Sequence, residues 1–245
     1  MGNMNGMTIG EIVAEDYRAA SVFENYKIDF CCNGNNNLVD VCNSKNIDPE
    51  KLINEINLIL QSNRSQAQDY QSWPLDLLTD YIEKKHHRYV EQRIPEIKQY
   101  LDKLCKVHGE NHQELFEVKE LFNQSAEQLT MHMKKEELIL FPVIRKMTLA
   151  RLKNEKISPA PFGTVENPIQ MMMNEHSNEG DRFYKIEELT NEFKVPSDGC
   201  NTYMVTLSML KEFQEDLHIH IHLENNILFP KAIELEKALI SKLGI

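Results

Sequence analysis

The feature that most constrains this chain is a motif written twice. His132-Met-Lys-Lys-Glu136 runs on into Glu-Leu-Ile-Leu-Phe141-Pro142, and His220-Ile-His-Leu-Glu224 runs on into Asn-Asn-Ile-Leu-Phe229-Pro230. Each copy sets His and Glu at i and i+4, and the interval from His to Pro is the same. Residues four apart on a helix lie one above the other, so each pair projects from one side. The neighbours say which side. Leu129, His132, Glu136, Ile139, Leu140 and Val143 share one stripe, and Phe213, Leu217, His220, Glu224, Ile227 and Leu228 share another. Surface i,i+4 pairs would sit among polar neighbours, whereas these pairs interrupt apolar faces. Burying a carboxylate with an imidazole costs several kcal/mol unless the groups are paired or hold a metal. The doubled pattern predicts two helices presenting metal ligands to one core.

From Pro74 onward, long helical stretches run at about 74–107, 111–148, 167–193 and 200–240, with no alternating strand pattern. His108-Gly109, the Pro-rich stretch ending at Gly163, and Pro196-Ser-Asp-Gly199 separate them, and Asn167-Pro168 reads as the cap and first turn of the third. The expected fold is all-α, an up-down four-helix bundle whose site is built in its core. On the third helix Ile169, Met172, Met173, His176, Gly180 and Phe183 form one stripe, so His176 also points inward, with the methionines as core filler. Glu175 is turned away by about 100 degrees and reads as an outer partner of a ligand or a solvated group. On the first helix His87 continues Val90, Ile94, Ile97 and Leu101, while His86 continues Leu78 and Ile82 and also meets Val90. Periodicity leaves that choice open.

Histidine and glutamate without thiolate suit iron or manganese better than structural zinc. Four His and two Glu are too many for one open site and few for two octahedral ions. With both glutamates and an oxo group bridging, about ten of twelve positions are filled, leaving room for dioxygen, nitric oxide or water. Rival patterns fare worse. The Glu-x-x-His of ferritin-like sites occurs as Glu83-Lys-Lys-His86 and Glu215-Asp-Leu-His218, but the second shares a polar face with Lys211, His222 and Asn225. Cys-x-x-Cys-His and His-Glu-x-x-His are absent.

Residues 1–62 read as a small helical module and 63–73 as a polar linker, with the bundle occupying 74–245. Thr8 and Glu11 form a capping box, and Asp48-Pro49 opens a helix carrying Leu52, Ile53, Ile56 and Leu60. The run Cys31-Cys-Asn-Gly-Asn-Asn-Asn breaks the pattern between them. So small a core is expected to lean on something else. Five cysteines, an odd number, fit a reducing compartment. Cys42, Cys105 and Cys200 read as ordinary packed thiols, and adjacent Cys31 and Cys32 as an exposed pair suited to redox or thiolate chemistry. A net charge of -11 argues against nucleic-acid binding. No run reaches the ~18 apolar residues of a spanning helix, and no signal peptide is apparent, so a cytoplasmic protein without membrane contact is expected.

Histidines spread over four helices with His-x-x-x-Glu twice resemble the hemerythrin-like domain. More closely, the chain resembles the Repair of Iron Centers family, of the ScdA and YtfE type. The resemblance rests on TIGEIVAEDYRAASVFENYKIDFCCNG, on His86-His-Arg-Tyr-Val-Glu-Gln-Arg-Ile-Pro95, on HMKKEELILFP, on Met172-Met-Asn-Glu-His176 and on HIHLENNILFP. It implies His87, eight residues before Pro95, as the ligand of the His-His pair, joined by His132, Glu136, His176, His220 and Glu224 with both glutamates bridging two non-haem irons. It implies Glu175 as an acidic residue beside the site that assists metal movement, and Cys31 and Cys32 as iron-transfer or redox groups. Gln128 stands where the family has an acidic residue, which puts in doubt any iron or proton path through that position. The implied protein is a cytoplasmic homodimer that restores iron-sulfur clusters damaged by nitric oxide or peroxide, with iron-sulfur proteins as clients. Reduction of nitric oxide or dioxygen at the di-iron centre, and hemerythrin-like gas or redox sensing, are the alternative readings.

Overall fold

The computed structural model describes residues 4–61, 69–157 and 160–241. Within them lie eight helices, short 3-10 turns and two isolated bridges, with no strand among the described residues. The first four helices are α1 (Ile9–Glu15), α2 (Ala20–Asn25), α3 (Leu38–Ser44) and α4 (Pro49–Gln61). The bundle is α5 (75–108), α6 (114–153), α7 (Glu166–Leu189) and α8 (201–241), with α6 against both α5 and α7, and α8 against α5. No helix among the described residues is long and apolar enough to cross a membrane.

Local chemistry sets most helix ends. The Thr8 hydroxyl accepts from Glu11 N–H at 3.2 Å and the Glu11 carboxylate accepts from Thr8 N–H at 2.8 Å, the capping box read in the sequence. Asp48 Oδ1 accepts from Glu50 N–H at 2.9 Å at the start of α4. Two starts differ from expectation. The Asn-rich run leads into α3, which Asn37 caps through Val39 N–H at 2.9 Å. Helix α7 begins at Glu166, one residue before the expected cap Asn167, because Thr164 Oγ1 and the buried Glu236 carboxylate take its first N–H groups. Most of the expected linker 63–73, namely residues 63–68, lies outside the described residues; Tyr70–Ser72 form a 3-10 turn, and the rings of Tyr70, Trp73 and Tyr81 pack on one another.

Three bundle helices widen into a π turn where their site residues fall: Ile82–His87, Glu136–Leu140 and Leu223–Leu228. Phe141 N–H donates to the Glu136 carbonyl and Phe229 N–H to that of Glu224, each five residues back. Pro142 and Pro230 follow at once. Their rings clash with the carbonyl four residues back in a regular helix, and the wider turn relieves that clash. The Glu-to-Pro spacing is therefore a π-turn signature. It also corrects the α6 stripe: beyond Glu136 the inward residues are Leu140, Phe141 and Ile144, while Ile139 is 48% exposed.

The small N-terminal helices have no core of their own. Ile12, Phe23, Phe30 and Leu38 belong to the same buried cluster as Phe213, Leu217 and Ile221 of α8. The α8 face expected to be polar is the seat of this contact. His222 is fully buried between Tyr17 and Phe30, and Asn226 Nδ2 donates to the Phe30 carbonyl at 2.9 Å. The Asn226 amide fits between Gly10 and Gly34, where a Cβ on either would lie 2.5 Å from its Oδ1. Only glycine permits that approach.

Candidate metal centre

All six expected site residues meet in the core between the four bundle helices, each no more than 3% exposed. His87 comes from α5, His132 and Glu136 from α6, His176 from α7, and His220 and Glu224 from α8. Their donor atoms form two groups, His87-Glu136-His220-Glu224 and His132-Glu136-His176-Glu224, each within 4.8 Å. Both glutamates belong to both groups, so cations held at the two groups would share these two carboxylates.

Glu136 Oε2 lies 3.4 Å from Nε2 of both His87 and His132, while Glu224 lies 3.2 Å from His176 Nε2 and 3.3 Å from His220 Nε2. None of these approaches has hydrogen-bond geometry, so all four carboxylate oxygens are fully buried without a hydrogen-bond partner. An ionised carboxylate left so costs several kcal/mol. The imidazoles point the same way. His132 Nδ1 and His176 Nδ1 each face an oxygen, Glu175 Oε2 and Asn225 Oδ1, at 2.8 Å. Those oxygens accept, so in the neutral rings the proton sits on Nδ1 and the lone pair on Nε2. The two Nε2 atoms are only 2.9 Å apart. Two lone pairs at that distance repel unless a cation or a proton lies with them. This donor set fits a metal pair.

Charge balance agrees. Burial and the second carboxylate both act to raise Glu136, yet His132 and His87 hold it below the usual range; for Glu224, burial is outweighed by His220 and His176. Burial acts to lower His132, but Glu136 and Glu175 lift it to about 10. Burial lowers His220, the ring whose Nδ1 has no partner. Both glutamates are thus ionised and ready to ligate.

A regular outer ring orients the imidazoles. Glu137 of α6 accepts from His87 of α5 at 3.1 Å, Glu175 of α7 from His132 of α6, and Asn225 of α8 from His176 of α7. Each acceptor stands next to a candidate site residue on its own helix and serves the helix before it. At the fourth position His86, beside His87, stacks on His220 with ring centroids 5.6 Å apart, and bonds through Nδ1 to Asp216 at 3.1 Å. Glu137 and Asn225 escaped the sequence reading. The rule that would find them, one residue from a candidate site residue and facing the preceding helix, needs the helix order. The side chain of Glu175 is 25% exposed and also binds Lys135; His132 foremost, with Lys135, pulls its carboxyl down to about 2 against the effect of burial. Gln128 is exposed on the outer face of α6; the buried acid beyond the site is Glu179, accepting from Ser125 Oγ at 2.7 Å.

The cysteines correct the expected exposures. Cys31 is buried and Cys32 half-buried, with Cys32 Sγ donating to the His176 carbonyl at 3.4 Å and Asn225 Nδ2 donating to the Cys31 carbonyl at 3.0 Å. The pair thus touches the turn that carries His176. Cys42 and Cys105 are buried as expected, but Cys200 is exposed, because it caps α8 at the bundle's end and no element covers it.

A helical bundle with a buried His and Glu cluster defines a cation-binding protein of the hemerythrin type, and residues 79–232 match the hemerythrin HHE cation binding domain. Residues 5–59 match a second model, described as a domain of unknown function (DUF542). The chain is 29% identical over 228 residues to the iron-sulfur cluster repair protein ScdA of Staphylococcus haemolyticus (strain JCSC1435), spanning 93% of this chain and 98% of that one. It is 31% identical over 229 residues to the iron-sulfur cluster repair protein YtfE of Yersinia pestis (strain Pestoides F), spanning 94% and 97%. The chain belongs to the hemerythrin-like family of iron-sulfur cluster repair proteins that includes ScdA and YtfE.

Proposed function

We propose that this protein holds two iron ions at His87, His132, Glu136, His176, His220 and Glu224, and supplies iron to iron-sulfur clusters damaged by oxidation or nitric oxide. The observation that carries the reading is the set of four buried, unpartnered carboxylate oxygens shared between two histidine pairs. Nitrogen and oxygen donors without thiolate favour iron over structural zinc. The ions are cargo as well as residents in this reading, and the relatives named as repair proteins support it.

The protein's own groups have distinct tasks. Glu137, Glu175 and Asn225 hold the rings in the tautomer that leaves Nε2 free to ligate. Glu175, partly exposed and tied to Lys135, is the edge at which an ion passes to solvent. In the N-terminal unit, proposed as 1–62 with a connection at 63–73, Asp29, Cys31 and Cys32 gather three donors within 4.8 Å against the His176 turn. Cys31 is held as the neutral thiol by its contact with Cys32 and by burial, so it becomes a ligand only when an arriving cation displaces the proton. A cleft of about 810 Å³ opens beside Cys31 between α2, α7 and α8, and is read as the place where a client approaches. A cytoplasmic homodimer is part of the same proposal.

Mixing the anaerobically iron-loaded protein with an iron-sulfur enzyme inactivated by nitric oxide is expected to restore its activity, with loss of iron from this protein. No restoration in an assay that succeeds with free ferrous iron sinks the proposal. Repeated turnover of nitric oxide with a supplied reductant and no iron loss moves it to a reductase.

A further inference from the structure

About 30 Å from the metal centre along α5 and α8, a second group of titratable side chains has no part in metal binding. Cys200 caps the N-terminus of α8 in extended backbone, φ -87° and ψ 175°, with its side chain exposed. His108, the last residue of α5, places Nε2 3.1 Å from the Cys200 sulfur. The backbone N–H groups of Thr202 and Tyr203 also favour negative charge on that sulfur. The Tyr203 ring packs edge-on against His108 and His112, with centroids 5.3 and 5.4 Å apart, and so fixes both imidazoles. His112 is in turn gripped by Glu114 at 2.9 Å and Asp198 at 3.2 Å.

An imidazole, two amide N–H groups and a helix N-terminus all stabilise a thiolate. Foremost through His108, they bring the Cys200 thiol down to about 7. Elsewhere the fold acts in the opposite direction: Cys31 is raised by Cys32 and by burial, and Cys42 and Cys105 chiefly by burial.

We propose that Cys200 is a modification site, a surface thiolate activated by His108 that exchanges with low-molecular-weight disulfides to form a mixed disulfide at the head of α8. The thiol proton passes to His108 Nε2. The Cys200 sulfur attacks one sulfur of the small disulfide, the S–S bond of the reagent breaks, and a new S–S bond forms. The second reagent sulfur leaves as thiolate and takes the proton back from His108. Cys200 is oxidised and one equivalent of small thiol is released; the disulfide is the only oxidant. His108 from α5 contacts the sulfur, and the charged groups next to it are His112 in the turn before α6, which bonds to Glu114 of α6 and Asp198 of the loop, with the Tyr203 ring of α8 between the two imidazoles.

The test uses the full chain with glutathione disulfide, mapping adducts by mass spectrometry, and follows iodoacetamide alkylation of Cys200 from about pH 5.5 to about 9. The expected result is one adduct, on Cys200, and an alkylation midpoint near pH 7. In His108→Gln the midpoint moves up by more than about one unit, toward the ordinary thiol value. At pH 6 the rate falls by about 6-fold, a ~30-fold loss of thiolate partly offset by the greater nucleophilicity of a more basic sulfur. Cys200→Ser is expected to abolish the adduct with an unchanged circular dichroism spectrum. A wild-type midpoint at or above about 8.5, an unmoved midpoint in His108→Gln, or a first adduct on Cys31 or Cys32 overturns the proposal. Should His108→Gln fail to fold, the wild-type profile and the adduct map still decide.

Discussion

Around His132 and His176 the carboxylates of Glu136 and Glu224 are buried without hydrogen-bond partners, whereas around His108 and His112, at the far end of α5 and α8, Glu114 and Asp198 both bond to an imidazole at the surface. Residue types are nearly the same in both places. A layer of Phe122, Phe183 and Phe213, with centroids 5.4 to 6.5 Å apart, closes the core between them. In the interior, unsatisfied oxygens and facing nitrogen lone pairs call for cations. At the surface, water and neighbouring charges satisfy each group, and what remains is proton transfer between His108 and a thiol. Burial, rather than the inventory of side chains, decides which chemistry a His-and-acid cluster performs.

The largest effect expected is on the buried side alone. Glu136→Ala removes a carboxylate shared by both donor groups, and anaerobic iron analysis should fall from near two per chain to under half of that, while Cys200 alkylation keeps its wild-type rate. Retention of full iron removes Glu136 from the site, and a change at Cys200 shows that the two ends are coupled. Next come the outer acceptors. Replacing Glu137, Glu175 or Asn225 by Ala should weaken iron binding by roughly 10–100-fold in a chelator competition; equal affinity in all three would reduce the ring to packing.

Gly34→Ala tests whether the N-terminal helices shield the centre. Its new Cβ would meet the Asn226 amide and the Phe30 carbonyl, which should destabilise the full chain by about 1–3 kcal/mol in urea and raise Cys32 labelling relative to Cys200. The smallest effect concerns Asp16. Burial acts to raise its carboxyl, but the Arg18 guanidinium at 2.7 Å holds it below the ordinary range. A depressed folded value stabilises above the unfolded value of about 3.9 and is lost as pH falls through the folded one. Asp16→Asn should therefore cost under ~1 kcal/mol at neutral pH, and the gap to wild type should close in acid.

Local periodicity carried a great deal. The i,i+4 pairs, the His176 stripe, the capping box at Thr8 and the helix start at Asp48 involve residues within one or two turns, so helices, inward faces and five candidate site residues are legible from spacing. The choice of His87 over His86 was not, because both lie on apolar stripes. It came from resemblance, and the fold puts His87 beside Glu136 while His86 turns to Asp216. The π turns are written in the Glu-to-Pro interval, and a uniform spacing of 3.6 residues, which does not include them, puts Ile139 on the wrong face.

The doubled motif by itself determined that polar pairs would be buried on two helices, since that follows from 3.6 residues per turn and the company each pair keeps. Only the tertiary structure decided that Glu137 and Glu175 accept from the imidazoles of neighbouring helices, that Asn225 orients His176, and that His222 is covered by the N-terminal helices. It also reversed the cysteines, burying Cys31 and leaving Cys200 in reach of solvent and His108. Those outcomes depend on contacts between residues far apart in the chain, which no window of helical spacing contains.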